Sequence, residues 1–185
     1  MAIPHFNAVT SHNQNWEPIH KSLFEIAINL PVVLGSRVDE EKLLLENATS
    51  ISLPVTPDLD TVSQRFKFST RGYVGLPTET HLKDISIKFN LNQNDNNSIF
   101  VWKNLKDWYD LAWNSQTGET ATKREMIGSI VVNMHDKKGR IIRRVVYKNI
   151  QILGLSAMEL DWSGTGEILD VTAKFMCDYW FDLYV

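Results

Sequence analysis

The chain has 185 residues, 43% of them hydrophobic and 22% charged, with a formal net charge of −3. That is enough chain for one core, and it lacks the basic excess of a dedicated nucleic-acid-binding domain. The single cysteine, Cys177, excludes an intrachain disulfide. The first residues show no cationic region followed by an apolar run, and no stretch approaches the roughly 18 apolar residues of a membrane-spanning helix. Synthesis in the cytoplasm and no membrane segment are the resulting expectations.

Residues 1–20 are polar and rich in Asn and His, with isolated Phe6 and Trp16 as docking points, and read as an N-terminal arm. Phe24, Ile26, Ile28 and Leu30 then alternate, predicting a first strand that Pro31 ends. Lys42 to Leu53 is predicted as a strand. Its three leucines could open a helix, but Asn47, Thr49, Ser50 and Ile51 are poor helix formers and Pro54 follows. Residues 54–83 read as one projecting loop or hairpin, with turns at Gly72, Gly75 and Pro77 and no strong core face.

Ile85, Ile87 and Phe89 face one way on the next strand. An Asn/Asp-rich loop ends at Ser98, a good N-cap for a helix over 99–114. In that helix Val101, Leu105, Trp108 and Ala112 form the buried stripe, with Lys103, Lys106, Asp107 and Asp110 on the other side. Strands over 127–134 and 140–147 flank the glycine-bearing loop at Gly139, and 150–155 makes a short further strand. Ser163 to Gly166 is the turn into the last strand, Glu167 to Asp182.

That last strand organises the rest. Leu169, Val171, Ala173, Phe175, Cys177, Tyr179 and Phe181 lie on one face, which period two turns toward a core, while Asp170, Thr172, Lys174 and Asp178 lie on the other. Trp180 shares the polar face, where its burial requires a second layer or a neighbouring subunit. Met176 and Trp180 are therefore the candidate subunit contact. With seven or eight strands, one helix and no strand–helix alternation, the prediction is a single domain over residues 1–185, mostly antiparallel β, a barrel or sandwich with one flanking α-helix.

The residues select no catalytic centre, cofactor or metal. His5, His12, His20, His81 and His135 form no His-x-x-x-His pair and lie away from Cys177 in the sequence. Gly164-x-Gly166 precedes a strand rather than the helix a phosphate cradle needs. There is no Gly-x-Ser-x-Gly elbow. Nothing in these residues selects an enzyme. The rival of another class is a monomeric β-barrel holding a small apolar ligand, against which Phe24, Phe89, Phe175, Tyr179 and Phe181 suggest a filled interior.

Several stretches carry a resemblance. Leu23-Phe-Glu-Ile-Ala-Ile, then Ala48-Thr-Ser-Ile-Ser-Leu-Pro54, the Asn/Asp loop and helix through Lys106-Asp-Trp108, then Leu160-Asp-Trp162, and Glu167-Ile through Asp178-Tyr-Trp180 follow in order. The sequence resembles the tail tube proteins of contractile-tailed bacteriophages over about Lys21 to Trp180, and the related tubes of type VI secretion and extracellular contractile injection systems. It departs from that pattern in the arm before His20, the acidic insertion over 37–42, and the residues past Trp180.

The resemblance implies a virion tail component, assembled in the host cytoplasm. Hexameric rings would stack into a hollow tube inside a contractile sheath, bounded by baseplate and tail terminator proteins. DNA would pass through the lumen without specific binding; in injection systems the cargo would be protein. Four strands from each of six subunits, spaced ~4.8 Å apart and tilted ~40°, would make a wall roughly 45 to 50 Å across. Phe66, Phe68, Tyr73 and Leu76 of the excursion are the candidate inter-ring contact. Asp170, Thr172, Lys174 and Asp178 are candidates for the lumen, whose surface is expected to be acidic or neutral because a basic wall would hold phosphates.

Overall fold

The computed structural model describes residues 20–35, 38–53, 59–77, 83–92, 100–158, 160–161 and 168–184. Nine strands make up most of it: β1 Phe24–Asn29, β2 Ala48–Ile51, β3 Leu59–Phe66, β4 Ser69–Pro77, β5 Lys83–Asn90, β6 Gly128–His135, β7 Ile141–Leu155, β8 Asp170–Cys177 and β9 Tyr179–Tyr184. Three α-helices accompany them, α1 Val38–Asn47, α2 Phe100–Ala112 and the single turn α3 Lys123–Met126, with one 3-10 turn at Val32–Leu34. The expected antiparallel β architecture is borne out. The arm at 1–20, apart from His20, and the turn at 163–166 lie outside the described residues.

Every strand pairing among the described residues is antiparallel. One sheet runs in the order β1-β6-β7-β8-β5-β2, with β9 also paired to β7. The 15-residue β7 holds it together: its first half lies between β6 and β9, and its second half, Gln151–Leu155, pairs with β8. At the changeover stands Asn149, whose φ of +54° is reached by Asn more readily than by most residues. The segments expected as two strands, 140–147 and 150–155, are thus one bent strand. The sheet folds over along it, and its two ends, β1 and β2, are not paired with each other.

The core lies inside that fold. Ile26 and Ile28, Ile85, Ile87 and Phe89, Ile130 and Val132, and Val171, Ala173, Phe175 and Cys177 are buried, as period two demands. The helix α2 closes the core with Val101, Leu105 and Trp108, all fully buried. Trp108 packs on Phe175, with ring centroids 5.2 Å apart, and its Nε1–H donates to the Met126 carbonyl at 2.8 Å. Gly128 makes room for that ring, since a Cβ there would stand 2.9 Å from it and 2.6 Å from the Asn29 carbonyl oxygen.

Two expectations are corrected. Residues 42–47 belong to α1, not to a strand. Asp39, Glu40 and Glu41 fill the first turn, where the helix dipole favours acids, and Leu44 is fully buried. Glu41 Oε1 accepts the Leu30 backbone N–H at 3.0 Å, and the Asn47 amide donates to the Leu43 carbonyl at 2.8 Å. Only Ala48–Ile51 forms the strand that the β-favouring residues called for. The last strand is also not continuous: the chain bends at Asp178, and β8 and β9 pair with different halves of β7.

Candidate functional site

Among the described residues no group of three or more His, Cys, Asp or Glu side chains could hold a metal ion, and the candidate functional features are surfaces. The first is the β3–β4 hairpin. It forms a separate two-stranded sheet, with Gln64 opposite Arg71 and Phe66 opposite Ser69, so that Lys67 and Phe68 make the tip. Phe68 is 92% exposed, with the Lys67 ammonium 5.7 Å from its ring centre. Val62 and Tyr73 are direct cross-strand partners, hence on one face, and both are exposed, as is Val74. An isolated two-stranded ribbon is marginal in water. Apolar groups at its tip and along it are what a docking element needs. Of the expected contact residues, Phe68 and Tyr73 are exposed; the side chains of Phe66 and Leu76 lie outside the described ones.

The second surface is the outer face of β5 and β8. Opposite each other in register stand Asp84 and Met176, Ser86 and Lys174, Lys88 and Thr172, and Asn90 and Asp170. Lys88 Nζ lies 2.7 Å from Asp170 Oδ2. Two acids and two bases leave this face formally neutral. The Ser52 hydroxyl accepts the Ser86 N–H at 3.2 Å, and the Ser156 hydroxyl accepts the Thr172 N–H at 2.9 Å. Asp170, Thr172 and Lys174 are therefore brought together, with Met176 beside them. Asp178 is not with them: it sits in the bend, where Lys123 Nζ donates to Oδ1 at 2.8 Å and Asn149 Nδ2 donates to Oδ2 at 3.0 Å. The bond from Lys123 holds its carboxyl below the usual Asp range, Asn149 adds to this, and partial desolvation works against it.

The bend also overturns the assumed facing of Trp180. Alternation shifts by one residue at Asp178, so Trp180 pairs opposite Tyr147 and packs against the core, while Tyr179 and Phe181 turn outward. Trp180 and Met176 consequently lie on different strands and different faces. Beside Trp180, Arg143 Nη2 donates to Asp182 Oδ2 at 2.7 Å, which raises the guanidinium's already high pKa. Tyr147 is fully buried, and burial pushes its phenol up.

The sequence pattern did not reveal the third surface, the outward stripe of Tyr179, Phe181 and Leu183 on β9, all exposed. In register they face Lys148, Val146 and Arg144 of β7. His135, at the end of β6, stands 3.6 Å from Glu25 and 3.3 Å from the Gly139 carbonyl, a hairpin-end packing role.

No protein-family model matches the sequence, and no curated protein does. Solved structures do match. A chain of the PVC sheath–tube complex of an extracellular contractile injection system in its extended state is similar with a TM-score of 0.57 at 14% identity, over 95% of this chain and 98% of that one. The tube-terminating cap of the anti-feeding prophage gives 0.57 at 14% identity, over 92% and 93%. The PVC sheath/tube terminator gives 0.57 at 13%, over 91% and 99%. The chain therefore has the fold found in tube, tube-terminator and baseplate components of extracellular contractile injection systems, as its sequence resemblance led one to expect.

Proposed function

We propose that the protein is a subunit of the hollow inner tube of a contractile particle, acting by enclosure and not by chemistry. Hexameric rings stack inside a sheath, and baseplate and terminator proteins end the stack. The observation that carries this reading is the match of fold over nearly the full length of both chains to components of such particles. Strand edges left open in the monomer support it, because unpaired edges are a liability unless another chain completes them.

The outer face of β5 and β8 is the surface we assign to the lumen, through Asp170, Thr172 and Lys174. It is mostly polar and formally neutral, with Lys88 paired to Asp170, so phosphates would not be held there. Asp178 is engaged in the bend and does not belong to that surface. The hairpin tip, with Phe68, is the contact between stacked rings, and Tyr73 extends it. Met176 remains a candidate subunit contact beside the lumen, while Trp180 contributes by holding β9 to the core. Passage of phage DNA is the first reading of the cargo. The likeness to injection-system components supports a second, in which the tube carries protein effectors.

Negative-stain microscopy of the purified chain should show rings and rods. Deleting Arg65–Gly75 should leave a folded protein that forms rings but no rods; rods of normal length from that variant would refute the assignment of the hairpin.

A further inference from the structure

We propose that Arg143, Tyr147 and Asp182 form an internal binding site for a water molecule, which bridges the first half of β7 to β9 on the inner face of the sheet. The site is independent of the tube reading and belongs to each copy of the chain, whatever it assembles into.

The register brings the three residues together. Arg143, Val145 and Tyr147 alternate onto one face of β7, the face that buries Val145 and Tyr147. Their partners on β9 are Tyr184, Asp182 and Trp180, in that order. Asp182 therefore stands opposite Val145 and diagonal to both Arg143 and Tyr147. Diagonal neighbours across a sheet lie about 7–8 Å apart, within reach of side chains as long as these.

Three polar atoms of this group are shielded from solvent and have no protein partner among the described residues: Arg143 Nε, Tyr147 Oη and Asp182 Oδ1. Buried polar atoms in folded proteins are nearly always paired, with protein or with ordered water. Arg143 and Asp182 are joined by one arm of the fork, Nη2 to Oδ2 at 2.7 Å, which leaves Nε and Oδ1 open. The Tyr184 hydroxyl, 3.5 Å away, also lies on Oδ2, so Oδ1 is the oxygen kept for another donor. Tyr147 is fully buried, and burial pushes its phenol up, so the O–H keeps its proton.

The mixture of donors and acceptor selects the ligand. A metal ion would meet the guanidinium and an anion would meet the carboxylate, each where little solvent screens the repulsion. A neutral molecule that accepts from Nε–H and donates to Oδ1 suits both, with a lone pair left for the Tyr147 O–H. Water is the smallest such molecule, and an internal water typically makes about three hydrogen bonds. One water also joins polar atoms that stand too far apart to bond directly. Its effect falls on β9, which Trp180 packs to the core and Asp182 ties to β7 through polar contacts.

The test combines a structure of the full chain at a resolution that shows ordered solvent with thermal unfolding of Tyr147→Phe and Asp182→Asn. A solvent peak should lie within about 3.2 Å of at least two of the three atoms. Tyr147→Phe keeps the shape of the ring and removes the hydroxyl. Loss of a bridged hydroxyl should lower Tm by about 2–4 °C, whereas loss of a buried hydroxyl without a partner would leave Tm unchanged or raise it. The Tm loss of the double variant should fall short of the sum of the two single losses, since each substitution disables the same bridge. A direct bond from Nε or the Tyr147 hydroxyl to Oδ1 with no solvent between, a Tm for Tyr147→Phe at or above the parent's, or additive single losses would each overturn the site.

Discussion

Asp178 is where the two halves of the sheet are tied together, and replacing it tests how the fold is held. Its carboxylate joins three elements: the bend between β8 and β9, the turn of β7 at Asn149, and α3 through Lys123. Asp178→Ala removes both bonds. Lys123 is 59% exposed, so that pair contributes no more than about 0.5 kcal/mol. The Asn149 amide bonds a carboxylate that is 23% exposed and contributes about 1 kcal/mol. The loss should be about 1–1.5 kcal/mol at pH 7, or about 2–6 °C in Tm for a chain of this size. The sign of the pH dependence follows from the lowered pKa. A carboxylate with a depressed folded-state pKa stabilises fully above its unfolded value of about 3.9, and that contribution disappears as pH falls through the folded value. Thermal unfolding of the monomer, followed by circular dichroism from pH 7 down to pH 3, should show the gap between the parent and Asp178→Ala closing below about pH 4. A loss under about 0.3 kcal/mol at pH 7, or a gap that does not change with pH, would refute this account of the bend.

Three further outcomes follow from the packing. Gly128→Ala should destabilise by about 1–3 kcal/mol or more in chemical denaturation, because its Cβ meets a backbone carbonyl and the buried Trp108 ring, neither free to move; a neutral result would contradict the tight fit. Asn149→Ala should cost more than Asn149→Gly, since both lose the bond to Asp178 but only alanine adds about 1–2 kcal/mol for a left-handed backbone; the reverse order would mean that the +54° φ is unimportant. Phe68→Asp should leave monomer stability within about 0.5 kcal/mol while shortening or abolishing rods in micrographs, and normal rods would exclude the tip from ring stacking.

Much of this fold could be read from period two. The buried sets on β1, β5, β6 and β8 are the alternating residues of the sequence, and the Val101, Leu105, Trp108 stripe of α2 is plain at helical spacing. The misreadings have local causes. At residues 178–182, Asp-Tyr-Trp-Phe-Asp satisfies either phase of alternation, so the shift that buries Trp180 and exposes Phe181 leaves no trace in the pattern. In α1, weak helix formers at 47–51 masked a helix whose start is marked by three consecutive acids and whose residue Leu44 is buried by tertiary packing. Asn149 was the available sign that β7 bends, an Asn inside an otherwise β-favouring run. The outward stripe on β9 depends on pairing partners far along the chain, which local periodicity does not report. The projection of the β3–β4 hairpin, with Phe68 and Tyr73 exposed on it, was legible because a long segment without a core face signals a projecting element.

The measurement that bears most directly on the tube is cryo-electron microscopy of the purified chain at high concentration. The account predicts rods built of six-fold rings around an open channel, with a strand wall roughly 45 to 50 Å across. A homogeneous 21.2 kDa monomer under those conditions, or rods with a filled centre, would contradict it.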